Sequence, residues 1–346
     1  MILSTVAKSR SLLDVRIPQW RRLFSQSVTR NSPDPLRILF CGSDEFSCAS
    51  LKALHEEHRH NKNLVESLAV MVLPPRRMGR GFKTLREVPS QNLYRMGLSF
   101  GLFVPPRILT SAKYGGLNVH PSLLPDLRGP APIHHAILQG YDYTGISLQT
   151  LDHRTFDHGT VLSQTSRPGI SIPPGCTVQE LTSLLAPIGA QMLVQGLRDG
   201  VYVPPRQNTG WRAQELSGEQ LVHAPKVTKA DGRIKWTRWT GDDIVQRIRV
   251  LGSVWTHAIN KKGDKKRLIF QDVETISSKD IGNHGAKIRL LEDSGVVLET
   301  PIWDQGDGSC AIRTLDDSVI RVKKIKEEGK SQRDAMAGLR SYIADD

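Results

Sequence analysis

Short apolar runs and helical patterns alternate in the first half of the chain. Residues 36–44 form an apolar run that ends in Gly-Ser-Asp, which predicts a strand followed by a tight turn. Residues 46–58 carry apolar positions at helical spacing, and residues 64–75 form a second apolar run that ends at two prolines. A strand, a helix and a strand in this order predict a parallel α/β sheet.

The next predicted strand carries the first candidate chemistry. Residues 117–120, Leu-Asn-Val-His, alternate between apolar and polar side chains. A period of two places the two apolar side chains on one face and places Asn118 and His120 together on the other. Because ligands bind beside the carboxyl ends of strands in open α/β sheets, we expect this polar pair to face a binding site.

Three further patterns complete the first half. Residues 131–142 predict a short helix, and residues 144–152 predict a strand. Residues 177–200 carry a long amphipathic pattern that begins with Thr177 and Glu180 at capping-box spacing. We therefore expect one α/β domain over residues 36–202.

The pattern changes beyond residue 202. Residues 203–225 are rich in proline, glycine and polar residues without a period, which predicts a linker between domains. Residues 226–335 consist mainly of short alternating stretches broken by turn residues, which predict a small antiparallel barrel with one helix near residues 242–251.

The charge of the chain suggests a polyanionic partner. The formal net charge is +12 and the pI is about 9.7, which is typical of proteins that bind nucleic acid. Basic residues cluster at residues 261–267 and 321–326, where they could follow a phosphate backbone. The alternative is a basic organellar protein whose clusters only face solvent.

The cysteines and histidines do not indicate a metal site. The four cysteines have no CxxC spacing, so we expect them to be reduced and structural. The histidines of residues 55–60 lack the HExxH spacing of zinc enzymes. No apolar run is long enough to predict a membrane span.

The first residues have the composition of a targeting segment. Residues 1–31 contain six Lys or Arg, frequent Ser and a single acidic residue. This composition is typical of a mitochondrial transit peptide, and residues 21–30 resemble a processing site. A disordered basic tail is the alternative. Without the segment the formal charge stays positive, at +7 (12 minus 6, plus 1).

An amide, an imidazole and a carboxylate form the candidate catalytic set. Asp157 lies in residues 151–162, a predicted loop that leads into another strand. Donors such as Asn118 and His120 can stabilise the oxyanion that forms when an amine attacks a carbonyl. A carboxylate can orient the imidazole and help to remove the proton of the amine. The alternative is a buried structural histidine beside an asparagine.

Residues 117–140, 144–152 and 156–162 resemble the folate-dependent formyltransferases, whose Asn-x-His-x-Ser-Leu-Leu-Pro pattern is complete here. The resemblance implies a Rossmann-like domain followed by a small OB-like barrel, with 10-formyltetrahydrofolate as donor and no metal. It assigns catalysis to Asn118, His120 and Asp157. It assigns the folate site to five other residues: Gly101, Ser122, Leu123, Leu124 and Pro125.

Two stretches resemble the members of this family that act on tRNA. Residues 224–239 and 327–333 are similar to the start and the end of their C-terminal domain. The resemblance implies initiator methionyl-tRNA as partner, in the mitochondrial matrix, and we expect a monomer. The residues expected to contact tRNA are Arg80 and Lys83, in a Gly-Arg-Gly loop, and the cluster Lys261, Lys262, Lys265, Lys266 and Arg267.

The chain departs from the family pattern between Lys83 and Gly101, where it is much shorter. A mis-joined exon and a real deletion would both produce this sequence. The departure leaves two alternatives beside formyl transfer to tRNA. They are formyl transfer to another amine, which the basic C-terminal half disfavours, and an RNA-binding protein that has lost folate binding.

Overall fold

The structure is a computed structural model, and it describes most of the chain beyond residue 33. The described residues are 34–42, 44–71, 106–152, 154–216, 221–277, 281, 285–292 and 294–343, with the backbone of residues 77–78 and 84–85. The predicted transit peptide and most of the shortened stretch between Lys83 and Gly101 lie outside these residues. The described residues form one unit by their contacts.

The first half contains the strands β1 to β9 and the helices α1 to α5. The strands are β1 Leu36–Cys41, β2 Val65–Met71, β3 Arg77–Met78, β4 Thr84–Leu85, β5 Leu117–His120, β6 Tyr143–Thr144, β7 Ser147–Thr150, β8 Val161–Gln164 and β9 Ile170–Ser171. The helices are α1 Glu45–His60, α2 Pro106–Ser111, α3 Pro132–Leu138, α4 Val178–Arg198 and α5 Arg212–Glu215.

The strands of the first half pair in both directions. β1 and β2 are parallel, which confirms the prediction for this strand–helix–strand unit. β5, β7 and β8 form a separate antiparallel sheet among the described residues. Among the described strands, β1 and β2 form the parallel pair, whereas β7 is antiparallel to β5 because the chain returns through α3 and enters β7 in the opposite direction. This pairing sets Asn118 opposite Gln149.

The long helix α4 packs against the strands that carry the candidate site residues. It begins with the predicted capping box, in which Thr177 Oγ1 accepts from the Glu180 amide and the Glu180 carboxylate accepts from the Thr177 amide. It packs on α1 and on one face of β5 and β7, where a Cβ on Gly189 would lie 3.0 Å from the Val119 side chain. The apolar side chains of β5 therefore face α4, and Asn118 and His120 take the opposite face, as predicted.

The segment predicted as a linker packs against the first half of the chain and is hydrogen-bonded to it. Residues 203–216 follow β8, where the Thr209 amide donates to the Val161 carbonyl at 2.8 Å and the Trp211 indole donates to the Thr165 carbonyl at 2.7 Å. Residues 222–224 then run alongside residues 127–131. A stretch without periodicity is thus ordered by backbone and side-chain hydrogen bonds to its neighbours.

The second half is a closed antiparallel barrel, which confirms the prediction. Its strands are β10 Val254–Ile259, β11 Lys265–Ile276, β12 Ala286–Leu291, β13 Val297–Asp304, β14 Cys310–Arg313, β15 Val319–Glu327 and the short β16 Arg333–Asp334. Pairing of β11 with β15 closes six strands, and apolar side chains from all of them fill the centre. Helix α6, Gly241–Leu251, has a capping box formed by Thr240 and Asp243, and α7 is Ala335–Leu339.

Helix α6 connects the barrel to the first half. The Gln246 side-chain amide donates to the Ile137 carbonyl at the end of α3, at 2.5 Å. Val250 joins the buried apolar cluster that contains Ile133 and Ile137. None of the described helices is both long and apolar enough to cross a membrane.

Candidate functional site

The carboxylate of Asp157 is the centre of the candidate site. Its Oδ1 accepts hydrogen bonds from the side-chain amides of Asn118, at 3.1 Å, and Gln149, at 2.9 Å. Its Oδ2 accepts from the Gly129 backbone amide at 3.0 Å. Because carboxylate oxygens accept several donors, these bonds fix the group in one orientation at the end of β5.

The imidazole of His120 lies between this carboxylate and a backbone carbonyl. Nδ1 is 3.6 Å from Asp157 Oδ1, and Nε2 is 3.0 Å from the Leu127 carbonyl oxygen. A carbonyl oxygen can only accept, so Nε2 carries a hydrogen in this arrangement. Nδ1, the other ring nitrogen, faces the Asp157 carboxylate.

The loop of Asp157 is held by its backbone as well. Asp157 has a φ of +55°, in the left-handed region, and its carbonyl accepts from Arg128 Nε at 2.8 Å. Two residues later, a Cβ on Gly159 would lie 1.7 Å from the Thr150 carbonyl oxygen. Only glycine allows the loop to return this closely to β7, so the Asp-x-Gly spacing has a steric reason.

The arrangement brings together the three predicted catalytic residues, although their donors already have acceptors. Asn118 Nδ2 has two hydrogens, and one is used on Asp157. His120 is 5% exposed and donates to Leu127. Contact with a formyl oxygen would therefore use the second amide hydrogen of Asn118 and would require His120 to leave its carbonyl. The roles of these residues stay predictions.

The predicted folate-binding turn is mostly buried. Ser122 Oγ donates to the Asp126 carbonyl at 2.7 Å, and the Leu124 carbonyl accepts from the Gln164 side chain at 2.9 Å. Leu123 and Leu124 are buried, Pro125 is half-buried, and the bond before Pro125 is cis. Because the side chains of Leu123 and Leu124 are packed inside the protein, a ligand at this turn would contact the backbone of the turn. The assignment of this turn to folate stays a prediction.

Asp126 and Gln149 were not expected from the sequence. Asp126 is buried and accepts from the Tyr141 hydroxyl at 3.2 Å. Burial and, next, the Asp126 carboxylate raise the pKa of Tyr141 to about 12, so its hydroxyl keeps its proton at neutral pH. Gln149 is a polar residue at a buried strand position on the face of Asn118, and this alternation was the available signal.

The predicted tRNA contacts fall into two groups. Lys261, Lys262, Lys265 and Lys266 are exposed around the turn between β10 and β11. Arg267 is half-buried, pairs with Glu328 and lies over the Trp255 ring, 5.2 Å from its centre. Arg80 and Lys83, like Gly101 of the folate site, lie outside the described residues. The part of the chain that the structure describes has no group of three metal-ligating side chains.

Comparison with known proteins matches both halves of the chain. The family described as formyl transferase matches residues 94–197, and the formyl transferase C-terminal domain matches residues 226–342. The mitochondrial methionyl-tRNA formyltransferase of Bos taurus is 34% identical over 262 residues, which are 68% of this chain and 65% of the relative. The methionyl-tRNA formyltransferase of Cereibacter sphaeroides is 32% identical over 255 residues, 64% of this chain and 77% of the relative.

A third relative matches over a longer stretch. The methionyl-tRNA formyltransferase of Acidiphilium cryptum is 26% identical over 336 residues, which are 89% of this chain and 97% of the relative. The chain spans less than two thirds of the mammalian relatives, 65% of the bovine and 64% of the human protein. With both of its halves matched and a relative 32% identical over most of that relative's length, the chain belongs to the formyl transferase family, which includes the methionyl-tRNA formyltransferases.

Proposed function

We propose that this protein transfers a formyl group from 10-formyltetrahydrofolate to the amino group of initiator methionyl-tRNA. The observation that supports the proposal most directly is the convergence of Asn118, His120 and Asp157 at the end of β5. Amide, imidazole and carboxylate are the groups that amine acylation requires. The folate-binding assignment of Ser122, Leu123, Leu124, Pro125 and Gly101 belongs to this proposal.

In the proposed reaction, the methionyl nitrogen forms a bond to the formyl carbon and the bond from that carbon to the folate nitrogen breaks. The oxygen of the carbon becomes negative in between, and Asn118 donates its second amide hydrogen to it. The amine loses a proton to the pair of His120 and Asp157, which returns a proton to the departing nitrogen. A preorganised donor of this kind contributes roughly 3–4 kcal/mol in other acyl-transfer enzymes.

The barrel supplies the tRNA contact in this proposal, and the protein works as a monomer. The four exposed lysines near the β10–β11 turn present positive charge to solvent, which suits a phosphate backbone. Arg80 and Lys83 of the Gly-Arg-Gly loop are proposed as further contacts. The relatives that are called mitochondrial, together with the composition of residues 1–31, support a place in the mitochondrial matrix.

A direct assay tests the proposal. The full chain is incubated with 10-formyltetrahydrofolate and methionyl-tRNA, and the formylated methionine is quantified after release from the tRNA. We expect turnover with methionyl-tRNA and none with free methionine. Tight tRNA binding without folate binding would instead identify an RNA-binding protein, and equal turnover of free amines would identify another substrate. Fusion of residues 1–31 to a fluorescent reporter tests the location separately.

A further inference from the structure

Three consecutive residues hold the imidazole and the carboxylate from one side. The Leu127 carbonyl accepts from His120 Nε2 at 3.0 Å. Arg128 Nε donates to the Asp157 carbonyl at 2.8 Å, and the Gly129 amide donates to Asp157 Oδ2 at 3.0 Å. We call residues 127–129 the cradle. The relative position of His120 and Asp157 therefore depends on the position of the cradle backbone.

The cradle is itself held by residues 222–224, which lie just before the barrel domain. The Leu127 amide donates to the Val222 carbonyl at 2.8 Å, and the Ala224 amide donates to the Arg128 carbonyl at 2.7 Å. A Cβ on Gly129 would lie 2.4 Å from the Ala224 carbonyl oxygen. The two backbones are thus in direct contact, without room for a side chain between them.

The carboxylate of Asp126 joins the two segments. It is 4% exposed, and its Oδ1 accepts from the amides of both Leu127, at 3.1 Å, and Val222, at 3.3 Å. Its Oδ2 accepts from Tyr141 at 3.2 Å and lies 3.8 Å from Arg212 Nη2. Because this one buried carboxylate accepts from the cradle and from its neighbour together, removing it takes away the acceptor of the Val222 amide and leaves the Leu127 amide with the Val222 carbonyl alone.

The same joint continues into the second half of the protein. The Pro225 carbonyl lies 3.0 Å from His135 Nε2 on α3. Gln246 of α6 donates to the Ile137 carbonyl, which lies in the same last turn of α3 as His135. The chain therefore contacts α3 directly after residues 222–224, and the barrel domain contacts the same helix. A shift of the barrel domain would therefore also shift residues 222–224, which support the cradle.

We propose that Asp126 is a positioning residue that holds residues 222–224 against the cradle. The contact between the two halves of the chain then sets the distance and orientation of His120 relative to Asp157. The proposal rests on the proposed function for its kinetic consequence. It adds that the contact between the two halves is needed for the correct geometry of the catalytic site. It also adds that Asp126 acts through the backbone of Leu127 and Gly129, without touching substrate.

Two substitutions at one position test the tie in the full chain. Asp126→Ala removes the acceptor, and we expect kcat to fall about tenfold or more while the KM for methionyl-tRNA changes little. Asp126→Asn keeps a carbonyl oxygen for the two amides and places its amino group on the Tyr141 oxygen, so it should retain most of kcat. Hydrogen exchange of the Leu127 and Ala224 amides should accelerate in Asp126→Ala and stay slow in Asp126→Asn.

A matched control removes a contact of the same linker that does not touch the cradle. Trp211→Phe deletes the bond to the Thr165 carbonyl, and we expect it to leave kcat and the two amides unchanged. If Asp126→Ala does not fold, Tyr141→Phe replaces it, because this substitution removes the hydrogen bond from the Tyr141 hydroxyl to the Asp126 carboxylate. It should lower kcat and accelerate the exchange of the two amides in the same way, but by smaller amounts. Normal kcat in the folded alanine variant, or a lost kcat with both amides still protected, overturns the proposal. A wild-type protein without turnover would refute the proposed function. The exchange data would still show whether Asp126 holds residues 222–224 against the cradle.

Discussion

The side-chain amide of Gln149 donates to Oδ1 of Asp157 at 2.9 Å from a strand position opposite Asn118. Both amides therefore reach the same carboxylate oxygen from neighbouring strands. Gln149 is buried, and its own carbonyl oxygen has no hydrogen-bond donor among the described residues. A buried acceptor of this kind costs about 1–3 kcal/mol, so the site retains a group that is unfavourable for stability alone.

Gln149→Met is expected to lower kcat about threefold to tenfold, because it removes one donor from Asp157 and keeps a side chain of similar length. Stability should be unchanged or slightly higher, since the buried carbonyl oxygen disappears with the donor. Steady-state formylation and urea unfolding measure the two effects. Gln195→Met is the control, because Gln195 makes the same kind of bond to Asp199 on the exposed end of α4. Equal kinetic losses in the two variants would remove Gln149 from the site.

Asp157→Asn is expected to reduce kcat by roughly 100-fold or more, with the KM for methionyl-tRNA within about threefold of wild type. The amide keeps the shape of the side chain, but it cannot accept on both ends and cannot take part in the proton transfer with His120. Asp152→Asn in the same loop is the control, since Asp152 accepts from the backbone amides of Arg154 and Thr155 within that loop. A mild effect at Asp157 would exclude it as part of the proton-transfer pair.

The placement of Asn118 and His120 on one face was predictable because its cause is local. Alternation in residues 117–120 fixes which side chains share a face, and the structure places Asn118 and His120 as this rule requires. The partners of that pair depend on long-range pairing. Gln149 reaches Asp157 only because β7 runs antiparallel to β5.

The joint between the halves shows the opposite case. Residues 203–225 have no periodicity, so a linker was the natural prediction. Val222 and Ala224 are ordered by hydrogen bonds to the backbone of residues 127–131, and a backbone can bond almost any sequence. Such a contact leaves little trace in the sequence beyond Gly129, whose missing Cβ permits it. The glycine is visible in the sequence, whereas its neighbour across the contact is not.

Binding of tRNA should lose salt dependence when lysines near the β10–β11 turn are removed. Each phosphate contact contributes about 0.7–0.9 to the slope of log Kd against log salt, so Lys265→Ala with Lys266→Ala should lower the slope by roughly 1.5. The control pair is Lys52→Ala with Lys287→Ala, which removes the same charge from exposed positions on α1 and β12. Equal slopes in the two double variants would place the tRNA on another surface.

The ion pair of Glu57 with Arg198 predicts a specific loss of stability in acid. Glu57 lies on α1 with a side chain that is 4% exposed, and Arg198 at the end of α4 donates to both of its oxygens, at 3.1 and 2.5 Å. The hydrogen bond to Arg198 lowers the pKa of Glu57 below its ordinary value of 4.5, although burial opposes the shift. The folded state therefore holds this proton less tightly than the unfolded chain does.

It follows that the pair stabilises the fold fully above the ordinary pKa of glutamate, and that this contribution is lost as the pH falls through the lower pKa of the folded state. Glu57→Gln should be less stable than wild type near pH 7, and the difference in unfolding free energy should shrink as the pH falls below 4.5, the ordinary pKa of glutamate. Urea unfolding at several pH values measures the difference. Glu299→Gln breaks an exposed pair with Lys287, 3.8 Å apart, and should change stability little at any pH. A constant difference between wild type and Glu57→Gln across this range would mean that Arg198 does not hold the carboxylate in its charged form.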